Sequence, residues 1–134
     1  MIQQLRELPV TPTSKPFSQA AQRSCMADFG YVEKEYLLEG TANVYATGAD
    51  GSARVEYADV PYVNRMIVRR PINSAAFSGH VIVEILNATA HYDIERMWIV
   101  SRKYFMRHGV IYVGLTSKPD VFDALQKFDP ARYG

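Results

Sequence analysis

Between His80 and Leu86 the chain reads His-Val-Ile-Val-Glu-Ile-Leu, an apolar and largely β-branched run broken by one glutamate. Continuous runs of this kind belong to parallel strands covered on both faces, whereas half-exposed antiparallel strands alternate apolar with polar residues. The run therefore predicts a central strand buried on both sides. A polar loop follows, from Asn87 to His91, and then a helical period begins. Ile94, Met97, Trp98 and Phe105 fall on one stripe, with Glu95, Arg96, Arg102, Lys103 and Arg107 facing away. The predicted helix runs from Asp93, its N-cap, to His108, with Gly109 taking the left-handed position after its end. A second apolar run from Val110 to Leu115 completes a strand, a crossover helix and a parallel strand. The fold class these elements predict is α/β.

Upstream, the period changes to two. Tyr31 to Tyr45 carries β-formers between charged residues, with Gly40 as a predicted bulge, and Ala49-Asp-Gly-Ser52 makes a hairpin turn. The return strand resumes near Arg54 and stops at Pro71. In it Val63, Arg65, Ile67 and Arg69 alternate with Asn64, Met66 and Val68, the pattern of a partly solvated strand close to a sheet edge. Asn73 caps a predicted single helical turn ending at Phe77. Pro9, Pro12 and Pro16 mark residues 1–17 as an extended arm outside regular structure, and Ser18 to Ala27 reads as a short helix. Residues 18–134 then form the folded portion. After Leu115, Thr116-Ser-Lys-Pro119 opens another helix, with Ser117 as its N-cap and Val121, Phe122, Leu125 and Phe128 buried, before Asp129-Pro130 starts a new turn.

At 134 residues and 48% hydrophobic, the chain has the size of one domain with a modest core. Fifteen basic against fourteen acidic residues leave a net charge of +1, which gives no field to gather nucleic acid or an anionic membrane. No apolar stretch has the length of a membrane span or the position of a leader's core, so a cytoplasmic protein is expected. Cys25 has no second cysteine to pair with and reads as a buried thiol. The three histidines are far apart and no glycine-rich phosphate-binding run follows either strand, so no metal or other cofactor is expected.

In open α/β sheets ligands bind beyond the carboxyl ends of the strands, which directs attention to the loops after Leu86 and Leu115. Asn87, Ala88 and Thr89 bring a carboxamide, a hydroxyl and free backbone N–H groups to a helix N-terminus, a set suited to holding an oxyanion. The competing reading is that Asn87 and Thr89 bond the local backbone. His91 and Asp93 have no nearby nucleophile and do not make a dyad. Thr116 and Ser117 sit where a nucleophile elbow would, but Lys118 stands where the strained turn needs glycine, so they are weak candidates. Glu84 is expected to pair with Arg65 or Arg69 on a neighbouring strand.

Several short runs resemble a known family. Pro16-Phe17, Gly30-Tyr-Val-Glu-Lys-Glu-Tyr36, Gly40-Thr-Ala42, Pro61-Tyr62, Arg65-Met-Ile-Val-Arg-Arg-Pro71, Phe77-Ser-Gly79, Val81-Ile-Val-Glu-Ile-Leu-Asn87 and Asp129-Pro-Ala-Arg-Tyr-Gly134 are similar to the N-terminal region of bacterial proteins described as alpha/beta hydrolase domain-containing. The resemblance implies a partial α/β-hydrolase fold: a long antiparallel hairpin leading into the strand-helix-strand-helix unit. On that basis His80 to Leu86 is the third strand of the hydrolase sheet and Val110 to Leu115 the fourth. It also implies that Asn87 to His91 gives an oxyanion-hole N–H to ester hydrolysis. Nucleophile, acid and histidine follow the fifth strand in such enzymes, so no catalytic residue is expected in this chain and it should be inactive alone. A half sheet with an unpaired edge implies a homodimer or a complementing C-terminal hydrolase half. The alternative is a small non-catalytic α/β module working through self-association or protein binding. A third option is a cryptic hydrolase using Thr116 or Ser117 with His91 or His108.

Overall fold

The computed structural model describes residues 1–18 and 26–134. One mixed sheet carries strands β1 (Ile2–Leu8), β2 (Tyr31–Thr47), β3 (Ala53–Pro71), β4 (Val81–Ile85) and β5 (Ile111–Leu115), in the spatial order β1-β2-β3-β5-β4. Helix α1 (Arg96–Arg107) links β4 to β5, and α2 (Phe122–Phe128) and α3 (Pro130–Tyr133) follow β5. Strands β4 and β5 are parallel, from Val81 opposite Ile111 to Ile85 opposite Leu115, while the other neighbours run antiparallel. The antiparallel start and the parallel strand-helix-strand unit are those the residue periods predict.

The hairpin pairs Tyr31 with Pro71 at its base and Thr47 with Ala53 at its tip. The irregularity expected at Gly40 lies in its pairing with β1, where the register shifts between Ile2 and Gln4, whereas the hairpin's own register slips between Ala42 and Tyr45. The surplus residues are on β3, where Asp59 adopts a positive φ of 54°. Gly40 answers to a different constraint: a Cβ there would stand 2.3 Å from the Met1 carbonyl oxygen, because β1 crosses against it. The expected irregular arm is likewise corrected. Residues 2–8 hydrogen-bond to β2 as a strand, and the prolines begin only after it.

Position in the sheet differs from the composition's message in two places. β4 lies at the edge, with Val81, Val83 and Ile85 exposed to 50, 56 and 62%, because nothing among the described residues pairs beyond it. β3, whose alternation suggested an edge, is central, and its buried face is the one carrying Arg65, Ile67 and Arg69.

Helix α1 begins two residues later than its apolar period suggests and buries Trp98, Phe105 and Met106, leaving Met97 exposed. These three pack with Val110, Tyr112, Tyr31 and Met26 to form the core. The helix ends as expected, with Gly109 at φ 65°; a Cβ at that position would meet the Ala76 carbonyl oxygen at 1.9 Å. The turn at Ser74–Ala76 has its Asn73 cap, whose side chain accepts from the Ala75 N–H. Beyond β5, a 3-10 turn at Pro119–Val121 buries Val121 and α2 buries Leu125, but Phe122 and Phe128 stay about half exposed. Lys118, not Ser117, occupies the N-cap of that turn and makes no side-chain cap. Of the predicted Ser18 to Ala27 helix, most lies outside the described residues, as does Cys25, while Ala27–Phe29 forms a 3-10 turn. No helix among the described residues is long and apolar enough to cross a membrane.

Candidate functional site

Because β4 and β5 are parallel neighbours, the loops after them leave from the same end of the sheet. They converge on one groove of about 460 Å³, lined by Asn87, Ala88 and Thr89 on one side and by Ser117, Lys118 and Asp120 on the other. Both sets of residues singled out in the sequence therefore meet, except Thr116, which does not line the groove.

The first loop is closed at its neck by an antiparallel bridge: the Asn87 N–H donates to the Ile94 carbonyl at 3.1 Å and the Ile94 N–H returns to Asn87 at 2.9 Å. Within it the His91 N–H donates to the Ala88 carbonyl at 3.0 Å, and His91 takes a positive φ of 59°. The Asn87 side-chain oxygen accepts both the Thr89 N–H at 3.0 Å and the Thr89 hydroxyl at 2.6 Å. Thr89 is thus spent on local bonding. The Ala88 N–H and the Asn87 side-chain NH₂ have no partner among the described residues, which leaves two donors able to meet an anion.

The second loop offers little nucleophilic chemistry. Thr116 is 1% exposed, its hydroxyl donates to Asp93 Oδ2 at 2.6 Å, and its N–H donates to the Arg65 carbonyl at 3.1 Å. A hydroxyl so placed is a structural donor. Ser117 does face the groove, but no histidine lines it. His91 is exposed on the first loop, and His108 stacks on Tyr104 at the far end of α1, about 18 Å along the helix axis.

Asp93 is not the helix cap that its position in the sequence implies. It is buried below the loop, where Oδ2 also accepts Arg65 Nη1 at 2.8 Å. The anion at the helix N-terminus is Glu84 instead. Its Oε1 accepts the Met97 N–H at 3.0 Å and its Oε2 accepts the Tyr112 hydroxyl at 2.5 Å, so it pairs with neither Arg65 nor Arg69. A carboxylate under the first turn of a helix meets both the free N–H groups and the positive end of the dipole. Burial, and then the Glu84 bond, push the Tyr112 hydroxyl far above its ordinary pKa.

Two buried ionic clusters flank the site from β3. Arg65 binds Glu35 Oε1 at 2.5 Å, Asp93 and the Phe17 carbonyl at 2.6 Å. Glu35 in turn accepts Arg132 Nε at 2.5 Å and the Tyr133 hydroxyl at 2.8 Å, and Tyr133 accepts the Phe17 N–H. Burial opposes the Arg65 charge, but Glu35, Tyr133 and Asp93 outweigh it and hold its pKa above the usual value. Arg69 binds Glu33 at 2.7 Å and Glu95 at 2.6 Å and lies over the Trp98 ring at 4.6 Å. Glu95, expected to face solvent, is buried by this contact. The sequence did hold a signal for these clusters: Glu33 and Glu35 alternate on one hairpin strand, and the other carries Arg69 opposite Glu33 and Ile67, between Arg65 and Arg69, opposite Glu35. Among the described residues, no group of three or more His, Cys, Asp and Glu side chains could hold a metal ion.

No curated protein and no solved structure matches the chain. A family model does, described as Alpha/beta hydrolase domain and aligned over residues 4–134. It spans the hairpin, the parallel unit and both ionic clusters, and the chain therefore belongs to that alpha/beta hydrolase family.

Proposed function

We propose that this chain supplies the oxyanion-side loop of an ester-hydrolysing α/β hydrolase and carries no nucleophile of its own. The observation behind this reading is the Ala88 N–H, unpartnered among the described residues, in a groove at the carboxyl ends of two parallel strands. Acyl transfer builds negative charge on the carbonyl oxygen, and preorganised N–H donors aimed at that charge are a large part of the catalytic effect. Ala88, with the Asn87 carboxamide beside it, can provide this; Thr89 keeps Asn87 in place. A nucleophile and histidine then come from elsewhere, carried by a complementing hydrolase segment that adds to the free edge of β4. The exposed Val81, Val83 and Ile85 also favour a second reading, a non-catalytic module that self-associates through that edge.

The test uses the purified chain with a fluorophosphonate probe, a short-chain p-nitrophenyl ester and, separately, methylphosphonate as a stand-in for the oxyanion. No labelling and no turnover are expected, together with a saturable methylphosphonate shift of the Ala88 amide signal in NMR. Labelling that disappears in Ser117→Ala or Thr116→Ala overturns the claim that the nucleophile lies elsewhere. An Ala88 signal indifferent to methylphosphonate, with the chain a stable dimer by sedimentation, replaces the reading with the self-associating module.

A further inference from the structure

We propose that Asp93 is a positioning residue that locks the loop bearing the Ala88 N–H to the loop after β5. The inference rests on reading that loop as an oxyanion loop. The neck bridge between Asn87 and Ile94 and the turn from His91 to Ala88 give the loop its shape, yet each is internal and leaves its direction open. Among the described residues, every hydrogen bond between the closed loop 87–94 and the rest of the fold is accepted by the Asp93 carboxylate. Tyr92 adds an edge-on ring contact with Phe17 at 6.2 Å, which orients less sharply.

The bonds at Asp93 close a triangle. Thr116 donates its hydroxyl to Asp93, Thr116 donates its N–H to the Arg65 carbonyl, and Arg65 donates its guanidinium back to Asp93. Each corner is on a different element: the loop after β4, the loop after β5, and β3. A single tie would let the loop swing, whereas a closed set of three fixes its distance from both neighbours. The carboxylate suits this because one charged oxygen accepts two short bonds at once. Its other oxygen, Oδ1, is buried without a partner among the described residues, so the group is placed for what Oδ2 holds rather than for its own solvation. Buried polar atoms left unpaired are rare in native folds and mark sites where geometry is being imposed.

Thr116→Val removes the hydroxyl with little change in shape, and Thr116→Ser restores it. Measured on the whole chain by amide hydrogen exchange, Thr116→Val should speed exchange of the Asn87 and Ile94 amides by about tenfold, the scale of a lost local tie. Amides of the inner β2–β3 ladder, such as Val32 and Arg70, should change by less than about twofold, and Thr116→Ser should match the unsubstituted chain throughout. The saturating methylphosphonate shift of Ala88 should weaken in Thr116→Val and return in Thr116→Ser. Uniform acceleration across the sheet, or no acceleration at Asn87 and Ile94, overturns the lock. Should the unsubstituted chain give no methylphosphonate response while the exchange pattern holds, the oxyanion reading fails and the lock stands.

Discussion

The two halves of the β2–β3 hairpin share one backbone ladder and differ in almost everything else. In the inner half, Arg65, Ile67, Arg69 and Pro71 are buried in alternation, and Glu35 opposite them is fully enclosed. In the outer half, every residue of β3 from Ala53 to Pro61 is exposed, including Val55 and Tyr57, whose cross-strand partners Tyr45 and Val44 are exposed as well. Pairing alone shapes both halves. Stability belongs to the half whose side chains leave water, since a two-stranded ribbon with no covered face is marginal by itself. What the inner half buries is also unusual, because two of its inward residues are cations tied to the segments around the groove.

The largest expected effect comes from removing a cation from the inner half. Arg65→Ala leaves the buried Asp93 with no cation among the described residues and Glu35 with Arg132 alone, and should cost about 3–5 kcal/mol, read as a fall in the urea midpoint with an unchanged slope. A small loss would mean that the buried ion pairs are not what holds the inner half. Ile67→Val, a single buried methyl beside Arg65, should cost about 0.5–1.5 kcal/mol in the same titration. The next effect is on pH dependence. Burial, opposed by Arg65 and assisted by Glu35, pushes the Tyr133 hydroxyl up to about 12 from an ordinary 10.0. Between those values the native chain keeps a proton that the unfolded chain gives up, so stability should fall as pH rises from 10 toward 12. Tyr133→Phe should make that fall shallower, with Tyr31 and Tyr112, whose pKa values are also raised, accounting for what remains. The smallest effect belongs to the outer half: Tyr57→Ser should move stability by no more than about 0.5 kcal/mol. A loss as large as that of Ile67→Val would show that the ribbon is packed in solution after all.

Much of the architecture was legible because it depends on local period. The hairpin, the crossover helix with its terminal glycine, the parallel pair and the two loops at its end all follow from residues close together in the chain. The readings that failed needed a partner far away. Asp93 resembles a helix cap until Thr116 is seen to take its carboxylate, and Glu84 resembles a strand's ion-pair partner until α1 folds over it. Arginine on a strand signals solvent unless the facing strand supplies acids, as Glu33 and Glu35 do here. β4 has the composition of a covered strand, but covering is a property of its neighbours and is not written in its own residues. For the groove, the sequence pointed to both loops that line it and could not say that Thr89 would bond Asn87 and leave the Ala88 N–H without a partner among the described residues.

The ties from Arg132 have one further implication, concerning time. Its guanidinium donates to the carbonyls of Leu8 and Pro9, more than a hundred residues earlier, and to Glu35 in the hairpin. Residue 132 is synthesised after the hairpin and both parallel strands, so until it emerges Arg65 is the one cation of this cluster that can answer Glu35. Among the residues of this cluster, those of the Asp129-to-Gly134 turn are therefore made last, and Glu35 gains its second cation only when that turn arrives.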